Sequence, residues 1–178
     1  SRFGGAIDHL EAVAGSVDLP VMRKDFLVDP IQVEEARSAG ASGVLLIARL
    51  LTGGLLAEMT DLTLTLGMFP LIEIFDEDDL EKTSQVFDRD VLIGVNCRDL
   101  TNLGVDRRRF EALAPLLPDG LPAVAESGLE SPEDVAAVAA LGYRLALVGT
   151  ALVRSGDVRS DLESMIEAGR SAMTGAGR

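Results

Sequence analysis

Histidine and cysteine each occur once in this 178-residue chain, as His9 and Cys97. A lone cysteine permits no intramolecular disulfide and no multi-cysteine metal site. A lone histidine argues against a histidine-rich metal centre and against a Ser-His-Asp triad. No apolar run approaches the ~18 residues of a membrane helix, so no membrane contact is expected. The glycine-rich GxGxxG fingerprint of dinucleotide binding is missing, and neither a linker nor a low-complexity stretch breaks the chain. The opening residues Ser1-Arg2-Phe3-Gly4-Gly5 carry no signal-peptide pattern, which makes the cytoplasm the expected compartment.

What is present describes a globular domain. Apolar residues make up 47% of the chain and the formal net charge is −13. That charge disfavours nonspecific contact with nucleic acid or an anionic membrane. It leaves room for a small anionic ligand, since backbone amides bind phosphate locally. Residues 1–170 are expected to form a single domain, and the small, polar segment 171–178 to fray.

Apolar, β-rich runs occur at Leu19–Arg23, Gly43–Ile47, Met68–Ile74, Val91–Val95, Leu121–Ala125 and Leu145–Val148. Segments with helical spacing lie between them, around Ile31–Ala39, Leu55–Leu66, Asp78–Leu80, Arg107–Leu117 and Val135–Leu141. Ser131-Pro132-Glu133-Asp134 reads as a helix start, with a cap, a proline in the first turn and then acids. The strands lack polar alternation, which predicts burial on both faces in a parallel sheet of about six βα units. A faint repeat supports this: Gly40, Gly142 and, more loosely, Gly67 each close a helix just before a strand. Pro70 lacks an amide donor and belongs at its strand's start.

Charged and polar residues gather where these runs end: Lys24, Glu73, Asn96 and Glu126. Burying such groups without a function is costly. Lys24 reads as a proton donor or Schiff-base lysine, or as a solvated lysine beside Asp25. Glu73 reads as a general base or cation partner, or as half of a buried ion pair with Lys24 or Arg98. Asn96 can orient a hydroxyl or carboxylate; Arg98 can grip an anion or pair with Asp99. Cys97 reads as a packing residue. Ser127, Gly128, Gly149 and Thr150 are small enough to let backbone N–H groups approach an anion, or serve tight turns. The acids Asp76, Glu77, Asp78 and Asp79 suit a helix dipole better than a metal.

Three segments in this order carry a resemblance. Met22-Arg23-Lys24-Asp25-Phe26-Leu27-Val28-Asp29-Pro30 with Gln32, Gly94-Val95-Asn96-Cys97-Arg98-Asp99-Leu100, and Ala125-Glu126-Ser127-Gly128 together resemble the indole-3-glycerol phosphate synthase family. The likeness runs from Phe3 to about Leu152. It implies a TIM (β/α)8 barrel of the α/β class, with this chain supplying the equivalents of strands three to eight. It also implies a carboxy-lyase of tryptophan biosynthesis that needs no cofactor and no metal. Its substrate would be a sugar phosphate bearing anthranilate, 1-(2-carboxyphenylamino)-1-deoxyribulose 5-phosphate.

The same resemblance assigns roles. Lys24 would be a general acid, Glu73 an acid/base and electrostatic group, Asn96 an orienting amide and Glu126 the holder of a substrate hydroxyl. Arg98 would support the electrostatics. Ser127, Gly128, Gly149 and Thr150 would cradle the phosphate, and Phe26, Leu46, Leu100 and Leu103 would line the anthranilate pocket. The family's first two strands, with a catalytic glutamate, a catalytic lysine and a phosphate-binding lysine, find no match here; Phe3-Gly4-Gly5 resembles the loop after the second strand. Little or no activity of the chain alone is therefore expected. So are open sheet edges at the Val21 and Leu147 strands, suited to self-association or to a supplied N-terminal piece. Two other readings compete: a related phosphate-binding barrel such as phosphoribosylanthranilate isomerase, and a non-catalytic phosphate-binding or assembly module.

Overall fold

A computed structural model of the chain describes residues 5–175. Phe3 and Gly4 of the amino-terminal resemblance, and residues 176–178 of the expected frayed tail, lie outside them. The chain divides into two compact units, Ser1–Leu92 and Ile93–Arg178.

The first unit holds helix α1 (Ile7–Ala14), strand β1 (Met22–Arg23), α2 (Pro30–Ser38), β2 (Gly43–Ile47), α3 (Gly53–Thr65), β3 (Phe69–Ile74) and α4 (Glu77–Thr83). β1 pairs with β2 and β2 with β3, all parallel, with Met22 opposite Gly43 and Ile47 opposite Glu73. α2 begins where the sequence says it must. The Asp29 carboxylate accepts from Ile31 N at 3.0 Å, Gln32 Oε1 accepts from Asp29 N at 3.1 Å, and Pro30 fills the first turn. Val33, Val44, Leu46, Leu56, Met59, Ile72 and Ile74 are fully buried, each leucine or isoleucine stabilising the fold by about 1.5–3 kcal/mol.

The second unit holds β4 (Leu92–Asn96, whose first residue closes the first unit), α5 (Arg108–Leu113), β5 (Ala123–Glu126), α6 (Pro132–Ala140), β6 (Leu145–Leu147), α7 (Thr150–Arg154) and α8 (Val158–Gly175). β4 pairs with β5 and β5 with β6, again parallel, and Asn96 lies opposite Glu126. Ser131 and Asp134 form the capping box that starts α6. Tyr143 anchors α5: its ring meets Phe110 edge-on at 5.3 Å and its hydroxyl donates to the Phe110 carbonyl at 3.1 Å. Burial raises the Tyr143 phenol above its ordinary range.

The helix-closing glycines of the repeat share one geometry. Gly40, Gly67 and Gly142 have φ of 85°, 72° and 103° just past α2, α3 and α6, a region costly for other residues.

Three expectations change. The run Leu19–Arg23 contributes only the two residues of β1, and Leu19 is 73% exposed; Pro20 can donate no ladder hydrogen bond. β2 to β5 are buried as expected, but β6 is not. α8 packs on α6, with Gly169 close to Val135, and Leu145 opens onto a cleft of about 350 Å³ shared with Leu162 and Ile166. Finally, α8 runs to Gly175, past Ser171 where fraying was expected. α1, α7 and α8 carried no sequence expectation. Among the described residues no helix is long and apolar enough to cross a membrane.

Candidate active site

Strand ends position the polar groups, so each unit is built up from its own strands. In the first unit β1 delivers Lys24 one residue past its end, and β3 carries Glu73 one residue before its last. Glu73 is 1% exposed, an extreme burial for a carboxylate. Lys24 Nζ donates to Glu73 Oε2 at 3.1 Å while its own side chain stays half exposed. A buried carboxylate thus meets an ammonium with access to solvent. The contact is the Lys24–Glu73 ion pair that the sequence allowed.

Neighbouring residues hold the strand end. Arg23 donates to the Gln32 carbonyl at 2.8 Å and reaches Asp25 and Glu35 at 3.4 Å each, tying β1 to α2. Phe26 is 42% exposed and available to a ligand, whereas Leu46 is fully buried in β2. Ile47 is the register partner of Glu73, so strand alternation turns Leu46 to the opposite face, and the pocket wall expected at Leu46 is not found there.

A cluster that sequence reasoning missed follows β3. Arg49 donates to Asp79 Oδ2 through Nε at 3.0 Å, pairs with Asp76 at 2.6 Å, and stacks 4.0 Å above the Phe75 ring. Asp79, itself buried, also accepts from Phe75 N at 3.0 Å. Asp76 is the N-cap of α4, accepting from Asp79 N. The acids read as dipole partners therefore also lock the turn beyond Glu73. The signal was an acid three residues past a cap, with an arginine 30 residues away.

In the second unit Asn96 ends β4 and Glu126 ends β5. They are 5% and 1% exposed, and as register partners they project to the same face of their sheet. Asn96 Oδ1 accepts from Arg98 N at 2.9 Å, which fixes the amide's orientation. The Arg109 guanidinium donates to the Asn96 carbonyl, a contact the sequence did not suggest.

Arg98 turns outward, donating to the Leu103 carbonyl at 3.2 Å, and Asp99 instead accepts from the hydroxyl and N–H of Thr101. Those bonds, the hydroxyl first, hold the Asp99 carboxyl below its usual range. Asp106 drops to about 2, chiefly through hydrogen bonding from Arg108. Leu103, at φ 63° and 40% exposed, caps the loop beside Leu100. Ser127 and Gly128 follow Glu126 at φ 69° and 76°. Gly149 and Thr150 open α7 after β6. Cys97 is fully buried, and desolvation pushes its thiol up to about 12, as a packing residue requires. Among the described residues no cluster of three or more His, Cys, Asp or Glu could hold a metal.

Known proteins are similar to this chain. The chain is 43% identical over 168 residues to the indole-3-glycerol phosphate synthases of Mycobacterium leprae (strain Br4923) and of Mycobacterium tuberculosis (strain ATCC 25618 / H37Rv). Those alignments take in 94% of this chain and 61% of each relative, so the chain spans about three fifths of the curated relatives' length. Among solved structures, 3-hexulose-6-phosphate synthase from Salmonella typhimurium superposes with a TM-score of 0.74 at 13% identity, covering 93% of this chain and 81% of that one. A mandelate oxidase variant superposes at 0.69 and 20% identity, covering 94% and 62%. These two likenesses speak for the fold alone, an α/β fold similar to TIM-barrel structures. The family profile described as indole-3-glycerol phosphate synthase matches residues 1–165. With strand-end residues, fold and relatives agreeing over nearly the whole chain, this protein belongs to the indole-3-glycerol phosphate synthase family.

Proposed function

We propose that the chain contributes catalytic strand ends to indole-3-glycerol phosphate synthesis, as a carboxy-lyase. The substrate is 1-(2-carboxyphenylamino)-1-deoxyribulose 5-phosphate; the products are indole-3-glycerol phosphate, carbon dioxide and water. The observation that carries this reading is the 3.1 Å contact between half-exposed Lys24 and buried Glu73 at the strand ends. A lysine in that setting can protonate a ketone oxygen as the ring carbon attacks the carbonyl carbon. The new C–C bond places a cation next to nitrogen, and a fixed anion such as Glu73 stabilises that iminium. Loss of carbon dioxide returns the electron pair to the aromatic ring. Protonation of the new hydroxyl, loss of water and loss of a ring proton then complete the indole.

The remaining roles follow the family pattern. Asn96 orients the substrate, Arg98 supports the charge, Glu126 holds a substrate hydroxyl, and Phe26, Leu100 and Leu103 face the anthranilate ring. Ser127, Gly128, Gly149 and Thr150 receive the phosphate. The proposed setting is the cytoplasm. The isomerase alternative calls for a cysteine–aspartate acid–base pair, and buried Cys97, with its thiol pushed up to about 12, offers no ready thiolate.

The test is calorimetric titration with a reduced substrate analogue that cannot cyclise. The chain should bind it saturably, and Lys24→Met should weaken binding about tenfold, or 1.4 kcal/mol. A folded chain that shows no saturable binding overturns the reading.

A further inference from the structure

The turn that ends β5 is held by a neighbouring loop. Ser127 and Gly128 both lie at positive φ, 69° and 76°. A serine stays in that region only when its surroundings keep it there. The surroundings are the β4–α5 loop, which folds into a compact ring. Arg98 and Val105 bridge antiparallel, Asp99 N donates to the Gly104 carbonyl at 2.8 Å, and Asp106 N donates to the Cys97 carbonyl at 2.9 Å. Val105 and Arg107 from this ring cover Gly128. A methyl group placed on Gly128 would come within 2.6 Å of Val105 Cγ1 and 3.1 Å of Arg107 Cγ.

Arg107 completes the clamp. Its guanidinium donates to the Gly128 carbonyl at 3.2 Å and to Asp134 Oδ1. The other Asp134 oxygen accepts from Glu130 N at 2.9 Å and Ser131 N at 3.2 Å, the cap of α6. One guanidinium therefore joins the turn to the start of the next helix, and both of its partners are internal.

We infer that Arg107 is a positioning residue: it fixes the Ser127–Gly128 turn so that the turn's backbone N–H groups face a phosphate, without itself binding the phosphate. This rests on the phosphate-cradle reading above. Titration of a direct ligand and of a positioning residue differ in sign when Asp134 is neutralised. Asp134→Asn keeps an oxygen acceptor for the α6 cap but weakens the hold on Arg107. A positioning Arg107 then loosens the turn; a ligand Arg107 would be freed to grip the anion more tightly.

The experiment follows the Ser127 and Gly128 amides by two-dimensional NMR of the full chain, first without anion and then with inorganic phosphate. Without anion, R107A should shift these two amides more than those of β4 and β6, and R107K should restore them in part. With phosphate, wild type should titrate saturably, R107A should bind about tenfold more weakly, R107K should lie between, and D134N should also bind more weakly. Melting temperatures read alongside separate these effects from general destabilisation; if R107A does not fold, R107K and D134N decide. Tighter binding by D134N, or wild-type affinity and shifts in R107A, overturns the role of Arg107 alone. Wild-type amides that never titrate overturn the cradle reading and the inference with it.

Discussion

Cys97 shows how one residue can set a pH limit. Its thiol is pushed up to about 12 by burial against an ordinary value of 9.0. The unfolded chain gives up this proton first, so the folded state holds more protons between those values. The thiol's contribution to stability is thus complete below pH 9.0 and is lost as pH climbs toward about 12. The steepest slope one such group can impose is about 1.4 kcal/mol per pH unit. Urea unfolding from pH 8 to 11 should show this decline, and Cys97→Ala should flatten it. An unchanged slope in that variant would remove the thiol from the account, leaving Tyr143, which is raised in the same direction. At Lys24 the expectation differs. Its half exposure lets solvent screen the ammonium, but Glu73 is buried, so Lys24→Met should lose binding and also cost about 1–3 kcal/mol of stability, read from urea midpoints.

Elements depend on polar locks more than their sequences suggest. The turn between β3 and α4 is closed by Asp79, which receives both Arg49 and Phe75 N. Asp79→Ala should cost about 2–3 kcal/mol, since it strands a backbone donor and a guanidinium in a partly buried site. Asp79→Asn should recover part of that through the Phe75 bond. Urea midpoints measured on both variants test the order, and equal losses would assign the effect to charge alone. Legibility also divides at this scale. β2 was read to the residue, because an unbroken apolar run sits between a glycine turn and a polar stretch. α6 was read from its cap and α2 from the spacing of Ile31, Val33, Ala36 and Ala39. α8 was not: Leu162, Met165, Ile166, Gly169 and Met173 form one stripe at helical spacing, but on a helix that is polar around the rest of its circumference, with Met165 the only buried side chain among them. The four strand-end groups were legible because each ends an apolar run. Arg49 and Arg107 were not, because their partners lie 30 and 27 residues away and only folding brings them together.

At the scale of the whole chain, charge governs colloidal behaviour. A net charge of −13 keeps copies apart at neutral pH, and the excess of acids vanishes near the sequence isoelectric point of 4.4. Light scattering during a slow titration should rise toward that pH and fall again in stronger acid; scattering that stays flat through it would show that apolar faces such as the Leu145 cleft are not adhesive. The alternation of strands and helices was readable because both faces of β2 to β5 are covered, whereas thinly covered β6 departed from the expected burial.

The opposed pair Asn96 and Glu126 imposes an asymmetry on how the chain can change. The eight residues Ser84–Val91 lie between α4 and β4, and the eleven residues Cys97–Arg107 between β4 and α5. One residue inserted within β4, ahead of Asn96, would flip the amide to the far side of the sheet and dismantle its match with the acid. The same insertion within Thr101–Gly104 would leave that match intact. Natural variation and laboratory grafting alike therefore have a permissive loop downstream of β4 and an intolerant strand ahead of it, so new sequences can be tried in the loop while the alignment of Asn96 with Glu126 is inherited unchanged.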